Sequence, residues 1–286
     1  MFYKHTNIYE ENMENNPLKQ YFRRPAVYLK LPSKGIGYPE GTLDLPPSGE
    51  LPVYPMTAID EITARTPDAL FNGVAIVELI KSCVPGIKDP WFLLSNDIDA
   101  ILLGIKVAAG GENLEVETEC PKCKEKTVYG YNLGAALSNI SSGDYDSILE
   151  INELKIKFRP VSYKEMNKAS IDQIHVQKSL AALEAIKDVD LRNTTEKGII
   201  RQIADITFGI LSKSIEYIET PNTRVVETAF ISDFLQNCDK TTYSAIRNTS
   251  VKLKESTELK PESLKCVSCG HEYQQMVNLN ASDFFG

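Results

Sequence analysis

Two pairs of cysteines have the spacing of a metal-binding turn. Cys120-Pro-Lys-Cys123 and Cys266-Val-Ser-Cys269 each place two thiols three residues apart. Four thiolates around one ion complete the tetrahedral coordination that structural Zn²⁺ takes in proteins. Because all four ligands come from the protein, no position stays open for water or a substrate. We therefore predict a structural rather than catalytic zinc ion, one per chain, bound by Cys120, Cys123, Cys266 and Cys269.

Each pair stands between strand-like segments, which is typical of a β-hairpin whose turn carries the ligands. Gly270 follows the second pair and suits a backbone position with positive φ. Lys124 holds the same position after the first pair, so we expect a less regular or more strained turn there. Residues 124–265 separate the pairs, against roughly 15–20 residues in a compact ribbon. This predicts a zinc ribbon split by an inserted, mainly helical domain.

The composition is that of a globular protein folded in a reducing compartment. Apolar residues make up 42 % and charged residues 24 % of the chain, no apolar run approaches the roughly 20 residues of a membrane span, and the polar start lacks a signal-peptide core. A net charge of −8 gives the wrong long-range field for coating nucleic acid or anionic lipid. Thiols stay reduced in the cytoplasm, where paired cysteines are metal ligands more often than disulfides. The lone Cys83 and Cys238 are expected to be core residues.

Nothing in the sequence predicts an enzyme. The three histidines (His5, His175 and His271) stand near no nucleophile motif, and no phosphate-binding loop, dinucleotide fingerprint or zinc-protease motif occurs. Four cysteines already fill the metal site, so His271 is expected beside it. Residues 112–126 contain five Glu and three Lys, so the first pair lacks the basic surface of a nucleic-acid-binding ribbon. The alternatives left open are an adaptor or transcription-type factor that uses its ribbon for macromolecular contacts, and an uncharacterised enzyme.

The predicted fold class is α+β, mainly helical, with two β-hairpin knuckles and an extended N-terminal arm. We divide the chain into an arm (1–55), a helical region (56–111), a split ribbon (112–147 and 258–286) and an inserted, mainly helical domain (148–257). The second half of the arm is dense in glycine and proline, which excludes a helix there. Such an arm either wraps its own domain or lies on a neighbouring subunit.

Helix signals occur in both helical parts. Thr66-Pro-Asp68 predicts a helix that starts there and runs to about Cys83. Ser162-Tyr-Lys-Glu165 matches a capping box and predicts the start of a long helix. A second long helix is predicted over roughly residues 195–214, with an apolar face at helical spacing. That face consists of Ile199, Ile203, Ile206 and Ile210.

Several short sequence motifs, which follow one another in a fixed order, resemble motifs of one known family. They are Asn16-Pro-Leu-Lys-Gln-Tyr-Phe, Leu31-Pro-Ser-Lys-Gly, Gly49-Glu-Leu-Pro-Val-Tyr-Pro-Met-Thr-Ala, Thr66-Pro-Asp-Ala-Leu-Phe-Asn-Gly, Ser82-Cys-Val-Pro and Asp97-Ile-Asp-Ala-Ile-Leu-Leu-Gly-Ile-Lys. Together with the two cysteine pairs, these motifs resemble the baseplate hub family of T-even-like contractile-tailed bacteriophages. That family includes a hub subunit and a hub assembly factor.

The resemblance implies a non-enzymatic structural or assembly protein of a phage baseplate hub. Its partners would be other tail proteins, without nucleic acid, a membrane span or a small-molecule substrate. It would be found in the host cytoplasm during assembly or in the virion tail baseplate. An arm lying on neighbouring subunits and a zinc-stapled docking platform fit this role. Phe284 and Phe285 would then anchor a partner, or alternatively close the protein's own core.

Overall fold

The computed structural model describes residues 16–64, 72–111 and 113–275, and it confirms the predicted mixture of helix and sheet. The helices are α1 (Ala58–Ala64), α2 (Val74–Cys83), α3 (Ser95–Gly110), α4 (Leu133–Ser138), α5 (Tyr163–Leu183), α6 (Val189–Lys213), α7 (Thr228–Asn237) and α8 (Lys240–Thr257). The strands are β1 (Val27–Lys30), β2 (Glu50–Val53), β3 (Asn113–Glu119), β4 (Lys126–Asn132), β5 (Ile148–Ile151), β6 (Leu154–Phe158), β7 (Ile215–Glu219), β8 (Arg224–Val225), β9 (Glu262–Lys265) and β10 (Glu272–Gln275). The helix start predicted at residues 66–68 lies outside the described residues, as do Phe284 and Phe285.

The N-terminal part of the chain packs on helix α3. Strands β1 and β2 form an antiparallel hairpin in which Leu29 pairs with Leu51. Both leucines and Val53 are buried in one cluster with α2 and α3. The hairpin, α2 and α4 all contact α3, and Ile101 and Ile105 of this helix are therefore fully buried. A helix covered on this many sides must be apolar around most of its circumference, which explains the sequence of α3.

A buried carboxylate fastens the glycine-rich segment to the start of α3. The fully buried Asp97 accepts hydrogen bonds from the Ser33 N–H at 2.8 Å and from the Tyr38 hydroxyl at 2.6 Å. It also accepts one from the Ser33 hydroxyl, and the Tyr38 oxygen in turn accepts one from the Leu94 N–H at 3.2 Å. Burial raises the pKa of Asp97, although the hydrogen bonds from Ser33 and Tyr38 act to lower it. The network links positions that lie about 60 residues apart along the chain.

The prediction of an extended arm over residues 1–55 is not confirmed. Leu29, Leu31, Leu51 and Val53 belong to the same core as α2 and α3, so the segment that carries them wraps its own domain. At the start of the described segment, the 3₁₀ turn Pro17–Tyr21 and the residue after it are all exposed.

A second core lies beside the four-stranded antiparallel sheet with strand order β5-β6-β7-β8. Phe158 of β6 and Ile218 of β7 are buried in one cluster with Ile231 of α7 and Ile246 of α8. This sheet lies within residues 148–257, the range of the predicted inserted domain. Helices α5 and α6 form a hairpin with a small core of its own, made by Val176, Leu183 and Ile199.

The predicted capping box at the start of α5 is present. The Ser162 hydroxyl accepts from the Glu165 N–H at 3.3 Å, and the Glu165 carboxylate accepts from the Ser162 N–H at 2.8 Å. The same carboxylate binds the Arg159 guanidinium at 2.8 Å. Because Glu165 both caps the start of α5 and pairs with Arg159, it holds α5 against the end of β6.

Replacing Glu165 by glutamine is expected to lower the free energy of unfolding by about 1–2 kcal/mol at pH 7. Burial acts to raise the pKa of Glu165, but hydrogen bonds from Arg159 and Ser162 outweigh it and the pKa is lowered. The stabilisation is therefore present above the ordinary carboxyl pKa and is lost as pH falls through the lowered value. Urea unfolding of both proteins at neutral and acid pH measures this, and a difference that stays constant with pH would contradict it.

Candidate metal centre

The four cysteines lie in the turns of two β-hairpins. β3 and β4 are paired along their full length, and the turn between them carries Cys120 and Cys123. β9 and β10 are likewise paired along their full length, with Cys266 and Cys269 in their turn. Each ladder therefore fixes the position of its two cysteines, as the sequence predicted.

The two turns have the same backbone hydrogen bonds. In the first, the Cys120 N–H donates to the Glu125 carbonyl and the Lys124 N–H donates to the Cys120 carbonyl, both at 2.9 Å. In the second, bonds of the same lengths join Cys266, Gly270 and His271. Lys124 has φ 64 and Gly270 has φ 68. The first turn is thus as regular as the second, and the expected strain is confined to a lysine in the left-handed conformation that glycine prefers.

Exchanges at these two turn positions are expected to have opposite effects. A Cβ on Gly270 would meet no atom within 4 Å, so Gly270→Ala is expected to cost about 1 kcal/mol through conformation alone. Lys124→Gly relieves the same strain and is expected to be neutral or stabilising by up to about 1 kcal/mol. Thermal unfolding of the metal-loaded protein measures both. Gly110→Ala is the control, because Gly110 is equally free of contacts but lacks positive φ; equal losses at Gly110 and Gly270 would refute the conformational argument.

The turns bring the four sulfur atoms into one cluster. Cys120 Sγ lies 3.7 Å from Cys269 Sγ, and Cys123 Sγ lies 3.6 Å from Cys266 Sγ. All four lie within 4.8 Å of one another. With Zn–S distances of about 2.3 Å, a tetrahedral site has sulfur–sulfur edges of about 3.8 Å. The four thiols are therefore placed so that they could hold one metal ion, and among the described residues no histidine or carboxylate joins them.

Side chains beside the cysteines join the two hairpins. The Thr118 hydroxyl donates to Gln275 Oε1 at 2.7 Å, and the Tyr129 hydroxyl donates to the Lys265 carbonyl at 2.7 Å. The Tyr273 hydroxyl lies 3.4 Å from the Thr118 hydroxyl. Sequence reasoning missed these residues, because a single threonine or tyrosine in a strand carries no signal of its partner. The bonds align the hairpins directly, so the cluster does not depend on the cysteines alone.

The protonation of the thiols is strongly interdependent. Burial acts to raise the pKa of Cys120, but N–H groups of Cys123 and Lys122 outweigh it and lower the pKa to about 7. The Glu125 N–H acts to lower the pKa of Cys123, but the neighbouring Cys269 thiol and burial raise it to about 12. Four thiolates at these distances repel one another unless a cation lies between them. Metal binding must therefore displace protons, and acid must oppose it.

The other sequence-predicted residues lie away from the cluster. Cys83 is fully buried in the N-terminal core, and Cys238 is partly buried at the end of α7. The His271 ring stacks on Tyr273, with the ring centroids 6.4 Å apart. His271 is thus adjacent to the cysteines without joining them, as expected.

The cysteine centre lies within the part of the chain that matches a known protein family. The sequence model of the family described as T4 bacteriophage base plate protein matches residues 40–286. The chain belongs to this family. The matched part of this base plate protein contains both cysteine pairs and, among the described residues, helices α1 to α8. Comparisons with curated proteins and with solved structures give no significant match. Among the described residues, no helix combines the length and the apolar character that a membrane crossing requires.

Proposed function

We propose that this base plate protein is a non-enzymatic structural or assembly component of the baseplate hub of a contractile phage tail. The observation that carries the proposal is the family match over residues 40–286. The motifs that resemble hub proteins support the narrower assignment to the hub. Its partners are other tail proteins, met in the host cytoplasm during assembly, and its final location is the virion baseplate. The net charge of −8 speaks against nucleic acid as a partner.

The second part of the proposal is that Cys120, Cys123, Cys266 and Cys269 bind one structural Zn²⁺. The sulfur–sulfur distances and the all-thiol donor set support this assignment. The ion would complete a ribbon split between residues 112–147 and 258–286, with 148–257 as the insert. Zinc at this place closes the loop from the first hairpin to the last, so it staples the end of the chain to its middle. The result is a rigid platform for docking.

The exposed turn before β1 is proposed as a docking surface. Leu18, Tyr21 and Phe22 are 61 %, 78 % and 57 % exposed, which is unusual for three large apolar side chains in so short a segment. The next residue, Arg23, is bound to the domain by the Ser82 carbonyl at 2.9 Å and by Asp60 at 3.4 Å. The turn is therefore held at a fixed place while its apolar side chains stay available to a partner. This retains the predicted arm in a shorter form.

Co-expression with the other baseplate proteins of the same phage tests the proposal. We expect the wild-type chain to co-purify in a complex whose native mass exceeds its own. The double variant Tyr21→Ser, Phe22→Ser is expected to lose at least tenfold of the co-purified partner. Tyr28→Ser is the control, because Tyr28 is 64 % exposed on the neighbouring strand.

Each result has a distinct meaning. A wild-type chain that stays a lone monomer with every tail protein refutes the hub role. A double variant that assembles as the wild type does refutes the docking surface at residues 17–22.

A further inference from the structure

A cavity lies at the root of the helical hairpin α5–α6. It has a volume of about 410 Å³ and is bounded by α5, α6, α8 and the end of β6. Its lining is largely apolar. The apolar side chains that form its floor include Phe158, Met166, Ile206, Ile210, Leu211 and Tyr243. A space of this size and lining is large enough to accept one or two bulky apolar side chains.

The charged groups that line the cavity all have the same sign. They are Arg159, Arg247 and Lys254, and no Asp or Glu belongs to the lining. Arg159 is paired with Glu165 and Lys254 with Glu258 outside the cavity. Arg247 is exposed, and within the described part of the chain it makes no ion pair. The positive charge of Arg247 therefore favours an acidic group on whatever occupies the cavity.

The floor of the cavity continues outward as an exposed apolar stripe. Ile203 and Ile200 lie one and two helical turns before Thr207, which lines the cavity, and Leu180 lies two turns after Gln173, which also lines it. Residues at this spacing share one face of a helix. Leu180, Ile200 and Ile203 are 42 %, 59 % and 42 % exposed. By this spacing, the stripe continues the lining of the cavity outward along both helices of the hairpin, and we call cavity and stripe together the groove.

The groove lies where a third helix would pack against α5 and α6 in a three-helix bundle. Among the described residues, the contact between α5 and α6 beyond the root buries Val176, Leu183 and Ile199. At the root, α8 lines the cavity, and beyond it no described residue buries the side chains of the stripe completely. A helix laid in line with α8 would bury the stripe in the manner of a three-helix bundle.

We propose that this groove, lined by Leu180, Ile200, Ile203 and the cavity beside Arg247, binds an amphipathic helix of a partner protein that carries acidic residues at one end. The apolar face of that helix covers the stripe, and its leading side chain enters the cavity. Its acidic residues meet Arg247. This groove would be a second docking surface of the protein. That the partner is a tail protein rests on the proposed function. The groove does not involve the metal centre.

The test uses a synthetic 18-residue helical peptide with leucines on one face and glutamates at one end. Two control peptides carry lysines in place of the glutamates, or the same residues with the leucines dispersed around the helix. Fluorescence anisotropy measures binding of each labelled peptide to the full chain. We expect the acidic amphipathic peptide to bind at least tenfold more tightly than either control. Equal binding of the lysine peptide, or of the dispersed peptide, overturns the proposal.

Variants locate the binding. Ile200→Asp with Ile203→Asp is expected to weaken binding at least tenfold, and Arg247→Glu is expected to reverse the preference for glutamate over lysine. Leu191→Asp is the matched control, because Leu191 is 57 % exposed on α6 and lies on the side opposite Ile200. An equal loss with Leu191→Asp overturns the proposed site.

Two further measurements separate this inference from the others. Circular dichroism and zinc content are expected to be unchanged in the Ile200→Asp, Ile203→Asp variant, so failure here is distinct from failure of the metal proposal. Sedimentation equilibrium of the wild-type chain is expected to show no self-association through this face. A dimer that the double variant abolishes would mean that a second copy covers the groove, which overturns the partner-helix proposal.

Discussion

Replacing either Cys120 or Cys266 by serine is expected to reduce zinc content from one ion per chain to none. The two cysteines are buried and come from different hairpins, with Cys120 Sγ 3.7 Å from Cys269 Sγ and Cys266 Sγ 3.6 Å from Cys123 Sγ. A neutral hydroxyl is a poor zinc ligand, so either change breaks the same four-thiolate site. Structural zinc contributes on the order of 10 kcal/mol in zinc-finger peptides, and we expect both hairpins to lose protection against hydrogen exchange together. Elemental analysis and hydrogen exchange measure the two effects.

Cys238→Ser is the control for these variants. Cys238 is partly buried at the end of α7 and lies outside the cluster, so this variant is expected to keep its zinc. Removal of zinc from the wild type by a chelator should reproduce the exchange pattern of both cluster variants. The split-ribbon interpretation is wrong if only one of the two cluster variants loses metal. A wild-type chain without zinc would leave the four residues as free thiols.

The candidate site was predictable because the spacing of the two cysteines within each pair is typical of a metal-binding turn. Two thiols three residues apart form half of a tetrahedral site, and the need for four ligands linked Cys120 to Cys266 across residues 124–265. The bonds that align the hairpins were not predictable in the same way. Thr118 meets Gln275, and Tyr129 meets the Lys265 carbonyl, only because two separate ladders lie side by side. Such pairings depend on tertiary placement, which strand alternation does not encode.

The N-terminal segment shows the same limit. Its glycines and prolines correctly excluded a helix, because they disfavour regular helical backbone. They did not reveal that Ser33 and Tyr38 bind Asp97 of α3. Of the two placements that the sequence left open, the segment wraps its own domain, because Leu29 and Leu51 join it to the core.

Helical periodicity identified which residues share the apolar face of α6, but not how far each of them is buried. Ile199 is buried and Ile206 partly buried in the hairpin, whereas Ile203 is 42 % exposed. A period identifies residues that share a face, and only the fold decides how far each of them is covered. Strand β7 was missed because Ser214 alone separates it from the end of α6, and a single serine is a weak signal that a helix has ended and a strand has begun.

Deleting residues 1–50 is expected to unfold the N-terminal core. The deletion removes β1 with Leu29 and Leu31, and it leaves Leu51 and Val53 without the strand that pairs with β2. Truncating one buried leucine typically costs about 2–5 kcal/mol, against a total stability of about 5–15 kcal/mol for a whole domain. Asp97 would also lose its hydrogen bonds from Ser33 and Tyr38. Near-ultraviolet circular dichroism and urea unfolding are expected to show loss of the cooperative transition.

A deletion of residues 1–22 distinguishes folding from docking. It keeps Arg23 and its bonds to Ser82 and Asp60, and it keeps every buried residue of the described N-terminal core. We therefore expect this shorter protein to unfold at the urea concentration of the wild type but to lose its tail partners with Tyr21 and Phe22. Cooperative unfolding of the 1–50 deletion at an unchanged urea concentration would make the whole segment an arm. Loss of folding in the shorter deletion would instead mean that residues 1–22 are needed for the stability of the N-terminal core, which contradicts their assignment as a docking surface alone.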